Sequence, residues 1–456
     1  MRSSNAQPPG PSSLRAASGT LQFRRDPLRY LTALRQRYGD VARFRLACWP
    51  MVLISHPSDI KRVLRENHEN YDRDGVIYRT VRTLFGEGLI TAGAESDWRR
   101  QRRLVHPAFF PQRVAALGTL MTDATLAMLE RWERPARAGE PLDMTSEMSG
   151  LTYEIAAASL FTSDDARRSE EFRRAFSQAL EFFTDYVTLP FPPLSMPWPR
   201  NRRYRAAVAA MDQVAYRIIR ERRASQEPAD DLLSILLAAT DEEGHGLEDT
   251  QIRDEIVGLL NAGHETSANV LSWCWYLLAR HPEAERELHD ELQVVLAGRV
   301  PTIQDLPHLR YTRTVINEAL RLYPPAWLLP RVAQRDDEIG GYRIPAKTCV
   351  LWSTYLAHRH PDFWEKPDAF RPERFSEGTA AGRARHAFMP FGAGPRSCVG
   401  NGFAMAEMQL VVATVAQRYR LVLAAGASGE AEALLALRPR NGLPVHAEAR
   451  SPAGVG

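Results

Sequence analysis

A long helical pattern in the second half of the chain limits the folds open to it. Between residues 248 and 280, apolar side chains recur at helical spacing and no proline interrupts them. At 1.5 Å per residue such a helix spans roughly 45 Å, which is the width of a whole domain. The pattern therefore predicts a mainly helical protein built around this one segment.

Other segments predict more helices and a few short strands. Helical spacing marks residues 27–38, 60–67, 121–160, 170–187, 230–239 and 403–412. Strand patterns with turn residues mark hairpins at 41–55 and 340–350, and edge strands at 421–423 and 445. Glycines in residues 71–91 and prolines in residues 190–199 predict irregular loops. The fold class expected from these patterns is α+β, mainly α with small β-sheets.

The composition is that of a soluble globular protein, with 44% hydrophobic and 25% charged residues. A net charge of +3 gives no argument for nucleic-acid binding. Residues 1–20 are rich in proline, serine and glycine and predict a flexible tail. No apolar stretch approaches the ~20 residues of a membrane helix, so no membrane anchor is expected. The cysteines, Cys48 among them, show no paired metal-ligand spacing and follow no secretory segment, which favours the cytoplasm.

A glycine-rich loop near the C-terminal end carries one cysteine. Residues 391–400 read FGAGPRSCVG. Gly392 and Gly394 permit backbone geometry and close approach that a Cβ atom would forbid. Because helix formers follow, Cys398 is expected at or just before a helix N-terminus, where free N–H groups and the dipole favour thiolate. Arg396 adds a nearby cation. A lone cysteine is usually a small buried hydrophobe, but this spacing favours a functional one.

This loop resembles the cysteine loop of the cytochrome P450 haem-thiolate monooxygenases, and it matches that family's pattern at every defining position. The resemblance implies a P450 fold in which haem b lies between the long central helix and the helix after the cysteine. It implies that Cys398 is the axial ligand of the haem iron and that Phe391 borders the cofactor. A thiolate ligand favours O–O cleavage. Residues 21–456 are then expected to form a single P450 catalytic domain.

Residues 262–266 of the central helix read AGHET. Glycine in the middle of a helix costs about 1 kcal/mol relative to alanine. A threonine there can bond back to a carbonyl and open a local bulge. In the family, Ala262 would border the haem, Thr266 would hydrogen-bond dioxygen, and Glu265 would relay protons. An isolated pair of this kind is more often a solvated acid beside a tolerated threonine, but the cysteine loop favours the functional interpretation.

Two further segments resemble the family's scaffold. Glu318 and Arg321 lie three residues apart on a predicted helix, and RPERF follows at 371–375. The resemblance implies a buried network of Glu318, Arg321 and Arg374 that supports the cysteine loop and takes no part in catalysis.

Haem carries two propionates, so the chain should offer donors for them. Trp98 and Arg102 lie four residues apart on a predicted helix, which places the indole N–H and the guanidinium on one face. Arg396 and Arg331 are further candidates, the latter because related proteins place a propionate arginine in this segment. His358 is a weaker candidate.

The resemblance also implies partners. Electrons would come from a separate ferredoxin or flavodoxin and its reductase, and O2 would be the co-substrate of a monomeric enzyme. Arg99, Arg100 and Arg103 could dock an acidic redox partner, although such a run is usually just a solvated helix face.

The positions expected to face the substrate are mostly apolar, which favours a bulky hydrophobic molecule. They are Tyr78, Leu84, Phe85, Leu89, Phe182, Phe183, Tyr186 and residues 326–329. Bacterial relatives with similar segments favour a terpenoid or carotenoid in secondary metabolism, with a fatty acid or polyketide left open. A competing hypothesis is a haem-thiolate protein that uses no O2, either a peroxide-driven or isomerase-type enzyme or a haem sensor. The pair Glu265 and Thr266 favours the oxygenase.

Overall fold

The computed structural model describes residues 6–12, 16–46, 49–161, 170–188, 193–225, 231–378 and 386–450. Cys48 and residues 190–192 of the predicted proline-rich loop lie outside these ranges. Within the described parts of the chain, no helix is both long enough and apolar enough to cross a bilayer.

Helices make up most of the described structure. In chain order they are α1 (Ala16–Arg25), α2 (Pro27–Tyr38), α3 (Pro57–Lys61), α4 (Val76–Phe85), α5 (Glu95–Val105), α6 (Pro111–Ala116), α7 (Gly118–Ala138), α8 (Met144–Leu160), α9 (Glu170–Thr188), α10 (Pro199–Ala224), α11 (Leu232–Ala238), α12 (Asp249–Arg280), α13 (Pro282–Leu296), α14 (Arg310–Leu322), α15 (Thr354–Ala357) and α16 (Asn401–Arg418). Short 3₁₀ turns lie at His68–Asn70, His106–Phe109, Ile303–Asp305 and Pro372–Phe375, and a π-helical turn continues α3 at Arg62–Glu66.

The strands form small sheets at the margin of the helices. They are β1 (Val41–Leu46), β2 (Trp49–Ile54), β3 (Tyr71–Asp72), β4 (Leu142–Asp143), β5 (Leu329–Ala333), β6 (Asp337–Ile339), β7 (Tyr342–Ile344), β8 (Cys349–Trp352), β9 (Tyr419–Leu423), β10 (Ala431–Ala433), β11 (Leu437–Pro439) and β12 (Pro444–Ala449). A five-stranded sheet has the order β1-β2-β8-β5-β3, and a three-stranded sheet the order β4-β12-β9. The pairs β6-β7 and β10-β11 stand apart. Only β2 and β8 pair in parallel among these strands.

Helix α12 is the predicted central helix, and it begins one residue later than expected. A capping box between Glu248 and Gln251 satisfies its first N–H groups. Every residue from Ser267 to Leu278 is buried, so this half of the helix is enclosed on all sides. It contributes to the largest buried apolar cluster together with α7, α8, α13, α14 and α16. The central position of α12 follows from this all-round burial.

Several short elements also agree with the sequence. The helix predicted over 27–38 is α2, with Asp26 as its N-cap. The hairpin predicted at 41–55 is the antiparallel pair β1 and β2, in which Val41 lies opposite Ile54. The second hairpin lies three residues earlier than predicted, because β6 and β7 turn on Gly340 and Gly341, both with positive φ.

The structure differs from the sequence prediction in residues 71–91. They contain α4 instead of an irregular loop alone. The glycines that suggested a loop flank this helix, with Gly75 as its N-cap and Gly86 as its C-cap at φ +62°. Tyr78, Leu84 and Phe85 form its buried face.

The predicted flexible tail differs as well. Residues 16–25 form α1, whose Phe23 packs edge-on against Tyr30. Farther upstream, the carbonyl of Pro9 accepts a hydrogen bond from the Arg43 N–H at 2.8 Å. The carbonyl of Ala6 accepts one from the Arg343 N–H at 3.0 Å. Backbone pairing with the strands therefore orders part of a segment whose composition alone suggested freedom.

The predicted scaffold network is present. Arg321 and Glu318 are both fully buried and form two parallel hydrogen bonds of 2.7 Å. The Arg321 guanidinium also donates to the carbonyls of His358 and Pro367. Arg374 approaches the same carboxylate at 3.3 Å. The buried charges of Glu318 and Arg321 are therefore paired with each other and further hydrogen-bonded, as stable burial requires. The same contacts join α14 to the segment that leads into the cysteine loop.

Candidate active site

The cysteine loop, residues 391–400, is held by its own backbone. Gly392 and Gly394 have φ of +73° and +71°, which is the left-handed region that glycine adopts without cost. The Cys398 N–H donates to the Phe391 carbonyl at 2.9 Å. A Cβ atom on Gly394 would lie 1.9 Å from the Leu64 carbonyl oxygen, so only glycine fits there. The glycines thus let the loop close tightly against its neighbours.

Cys398 lies deep in the protein, yet its surface is accessible because the residue lines an internal cavity. Burial raises the pKa of its thiol, while the Gly400 N–H and the charge of Arg102 favour the thiolate. The sequence predicted Cys398 at or just before the N-terminus of a helix, and α16 begins three residues after it at Asn401. The cation that influences the sulfur is Arg102 and not Arg396. An acceptor of the sulfur lone pair, such as a metal ion, would favour the thiolate further.

One cavity brings together most of the predicted site residues. The cysteine loop and α12 both contribute to its lining. The predicted residues that line it are Trp98, Arg102, Ala262, Thr266, Arg331, Phe391, Arg396 and Cys398. Glu265 is not among the lining residues.

The cavity wall carries more positive than negative charge. Arg73, Arg102, Arg331 and Arg396 all line it. Arg396 pairs with Glu95 at 3.1 Å, whereas the other three guanidiniums have no carboxylate within ion-pair distance among the described residues. Arg331 is 5% exposed, and burial lowers its pKa to about 10. Buried cations are costly unless they are paired, so this wall favours an anionic occupant.

Arg73 is a site residue that sequence reasoning missed. It stands in a segment without periodicity or a recognisable motif. The pairing of β3 with β5 places Asp72 opposite Val332, and this long-range register brings Arg73 beside Arg331. The sequence offers no signal for such a contact, because the two strands are far apart along the chain.

Two of these cations lie over the ring of Trp98. The guanidinium carbon of Arg396 lies 4.8 Å from its ring centroid, and that of Arg102 lies 5.7 Å away. Arg102 also donates to the Ser397 carbonyl at 2.8 Å. The helix α5 therefore places a donor against the residue before Cys398 and an aromatic ring beside two of the wall cations.

The AGHET segment lies within the continuous helix α12, without the local bulge that its composition suggested. The Thr266 hydroxyl donates to the Ala262 carbonyl at 2.6 Å. Gly263 lets α8 approach, since a Cβ atom there would lie 3.4 Å from the Ala156 methyl. Glu265 does not line the cavity, and burial raises the pKa of its carboxyl to about 7, although Arg438 favours the ionised form. Of this pair, Thr266 therefore lines the cavity and Glu265 does not.

The comparison with known proteins accords with this geometry. A family model described as Cytochrome P450 matches residues 8–440. The chain belongs to the cytochrome P450 family. The predictions of a P450 fold and of an enzyme of the P450 monooxygenase class are confirmed.

Individual relatives and structures show the same likeness. This P450 is 38% identical over 414 residues to cyclooctat-9-en-7-ol 5-monooxygenase of Streptomyces melanosporofaciens, a match that covers 90% of this chain and 88% of that protein. It is 33% identical over 446 residues to pentalenene oxygenase of Streptomyces avermitilis, and this match covers 97% of each of the two chains. The crystal structure of the cytochrome P450DA heme domain is similar with a TM-score of 0.89 at 26% identity, over 98% of this chain and 99% of that one.

P450 proteins carry haem held by a cysteine thiolate. The residues of this P450 fit such a group on three counts. The Cys398 thiol lines the cavity, and Gly394 keeps the loop pressed against the backbone at Leu64. Three of the four wall guanidiniums lack a carboxylate partner among the described residues, and propionates would supply one.

The P450 fold buries most of the other residues predicted to face the substrate. Leu89, Ala326 and Leu329 line the cavity. Leu84, Phe85 and Phe183 instead fill an apolar core cluster. Phe182 stacks on Tyr204, and Tyr78 accepts a hydrogen bond from Arg331. These aromatic positions therefore act in packing and in the cationic wall.

His358 also has a structural place. It is fully buried, and its Nε2 accepts the Met389 N–H at 2.9 Å. Burial lowers the pKa of its ring to about 3. The histidine fixes the approach to the cysteine loop.

The arginines predicted to dock a redox partner already have acidic partners. Arg99 pairs with Glu95 and Glu69. Arg100 pairs with Asp241 and Arg103 with Glu242. The basic run on α5 is thus largely neutralised within the chain.

We expect Gly394→Ala to destabilise the cysteine loop. The left-handed φ alone costs roughly 1–3 kcal/mol for a non-glycine residue, and the clash with the Leu64 carbonyl adds to this. Urea unfolding followed by tryptophan fluorescence would show a lower free energy of unfolding, and the purified protein would bind less haem. Gly402→Ala is the matched control, because Gly402 lies in α16 with no atom near its missing Cβ. Equal stability of the two variants would contradict the role of Gly394.

Proposed function

We propose that this P450 is a haem-thiolate monooxygenase that inserts one O2-derived oxygen atom into a bulky hydrophobic substrate of the terpenoid class. A separate ferredoxin or flavodoxin, with its reductase, would deliver the electrons. The observation that carries the proposal is the cavity that joins the Cys398 thiol, Thr266 and a wall of four guanidiniums, three of which have no carboxylate partner among the described residues. Haem b, when bound, supplies an iron centre that activates O2.

The chain's own residues have separate tasks in binding this cofactor. Cys398 would hold the iron through its sulfur. Arg102 and Arg331, together with the indole of Trp98, would bind the propionate carboxylates, and the charge of Arg396 would assist them. Arg73 joins this group on the evidence of its position. Phe391 and Ala262 would border the cofactor from the cysteine loop and from α12.

Thr266 and Glu265 would handle the protons that the reaction consumes. The Thr266 hydroxyl lines the cavity and needs only to rotate away from the Ala262 carbonyl to donate into it. Glu265, with its pKa raised to about 7, can both hold and release a proton near neutral pH. Because Glu265 does not line the cavity, its carboxyl would reach the cavity by rotation of its side chain or through a water molecule.

The lining supports an uncharged, apolar substrate. Away from the arginines, the wall is formed by residues such as Leu89, Ile90, Leu160, Leu259 and Ala326. Two relatives bear the names of cyclic terpenoid oxygenases, cyclooctat-9-en-7-ol 5-monooxygenase and pentalenene oxygenase. Together these observations favour a cyclic terpenoid hydrocarbon or alcohol over the carotenoids, fatty acids and polyketides that the sequence left open.

The cofactor assignment predicts a spectrum. The reduced carbon monoxide complex of the purified protein should show the red-shifted Soret band of thiolate ligation, and Cys398→Ser should abolish it. Cys349→Ser is the control, because Cys349 lies on β8 outside the cavity lining. A Soret band that is not red-shifted in the wild type would overturn the haem-thiolate proposal.

We expect Thr266→Ala to lower the ratio of product formed to reductant consumed several-fold, because the hydroxyl that directs proton delivery is lost. Thr266→Ser retains a hydroxyl and should restore most of the ratio. Consumption of O2 and reductant would be measured together with product by mass spectrometry. An unchanged ratio in Thr266→Ala would contradict the role of the Thr266 hydroxyl in proton delivery.

The substrate class predicts a ligand preference. Titration of the haem-loaded protein with cyclic terpenoids should convert low-spin to high-spin haem at lower concentrations than titration with fatty acids or polyketides of similar size. A preference for fatty acids would refute the terpenoid assignment and leave the oxygenase chemistry untouched.

A further inference from the structure

A short segment between α4 and α5, residues 86–93, supplies part of the cavity wall. We call it the strap. Leu89 and Ile90 of the strap line the cavity. The strap is neither helix nor strand through most of its length, so other groups must satisfy its backbone. The partners of its backbone hydrogen bonds therefore determine the position of the strap.

Side chains hold the strap's carbonyls. Three arginines and one glutamine donate to them from outside the strap. The pairs are Arg73 with the carbonyls of Leu89 and Ile90, Arg82 with Thr91, Arg396 with Ala92 and Gly93, and Gln101 with Glu87. Two of these donors, Arg73 and Arg396, also line the cavity.

Two carboxyl groups of α12 hold the strap's N–H groups. Asp254 accepts the Glu87 N–H at 2.8 Å, and Glu255 accepts the Leu89 N–H at 2.9 Å. Glu255 is 1% exposed. It accepts a hydrogen bond from the amide of Leu89, a strap residue that lines the cavity.

The strap lies directly on α12, with no space between them. A Cβ atom on Gly86 would lie 2.0 Å from the Asp254 carboxylate. One on Gly88 would lie 3.1 Å from the Asp254 carbonyl oxygen. Because the glycines bring the two backbones together, we expect a change in the α12 side chain that contacts the Leu89 amide to alter the distance between the strap and α12.

We propose that Glu255 is a positioning residue for substrate selection, which fixes through the Leu89 amide how far Leu89 and Ile90 project into the cavity. This inference rests on the proposed function for the identity of the ligand. Loss of the acceptor leaves a buried N–H unpaired, and the strap must then lift or admit water. The cavity would change in volume on its substrate side while the cysteine loop keeps its own bonds.

The ionisation of Glu255 is consistent with this role. Burial raises the pKa of its carboxyl to about 8, the Leu89 N–H opposes that rise, and the charge of Asp254 adds to it. A carboxyl that is neutral near pH 7 accepts the amide hydrogen bond much as a glutamine would. The conservative variant Glu255→Gln therefore serves as the rescue.

The test compares Glu255→Leu with Glu255→Gln in the full-length protein. Hydrogen exchange measured by mass spectrometry should show faster exchange at the Leu89 amide in Glu255→Leu, and exchange close to wild type in Glu255→Gln. Spin-state titrations with cyclic terpenoids of ten, fifteen and twenty carbons would then give the ratios of the dissociation constants. We expect these ratios to change at least about fivefold in Glu255→Leu and less than about twofold in Glu255→Gln.

Asp254→Ala, which removes the acceptor, provides a control on the same strap. Asp254 holds Glu87, which does not line the cavity, so this variant should alter exchange at Glu87 and leave the size preference unchanged. If Glu255→Leu does not fold, Glu255→Met keeps an unbranched side chain without the acceptor and takes its place. Unchanged exchange at Leu89, or faster exchange with an unchanged size preference, would overturn the proposal.

The two proposals fail in distinguishable ways. The exchange measurement depends on the chain alone and needs no cofactor. Absence of any haem spectrum would therefore refute the proposed function, while slow exchange at Leu89 in Glu255→Leu would refute the role of Glu255.

Discussion

Uncompensated positive charge in a buried cavity is the constraint on which the site depends. Four guanidiniums line one cavity. Among the described residues, only one of them, Arg396, pairs with a carboxylate, that of Glu95. In a medium of low dielectric constant such a group of cations is stable only with hydrogen-bond acceptors or an anion nearby. Backbone carbonyls of the strap and of the cysteine loop meet part of this need. The cationic wall therefore ties together the strap, α5 and the loop that carries Cys398.

The central helix α12 has two tasks: it must stay stably packed, and it must supply side chains to the cavity. Its later half is enclosed by apolar packing, which fixes it in place. Its middle contains a glycine and a threonine that bonds back to the Ala262 carbonyl. Because packing of the later half holds the helix in place, the turn at Thr266 can line the cavity without loss of the helix.

Periodicity and glycine spacing predicted the parts of the structure that are local. The helices α2 and α12 and the hairpin of β1 and β2 follow from side-chain patterns within each segment. The helix α4 was missed because Gly75 and Gly86 were interpreted as loop residues, whereas they cap its two ends.

The site was predictable where a motif named its residues, and not where tertiary pairing placed them. Motifs indicated Cys398 and Thr266, and both line the cavity. Arg73 and Glu255 reach their places through strand pairing and through contact between α12 and the strap. The orientation of Glu265 also depends on packing, since one helical position separates the cavity side of α12 from its buried side.

Counting donors separates the arginines of the wall by task. A guanidinium offers five N–H donors. Arg396 makes four hydrogen bonds, two to Glu95 and one each to the carbonyls of Ala92 and Gly93, so it is committed equally to Glu95 and to the strap. Arg102 makes one, to Ser397, and keeps the rest for an anion in the cavity. An anion bound there would therefore interact chiefly with Arg102 and Arg331, while Arg396 continues to hold the strap in place.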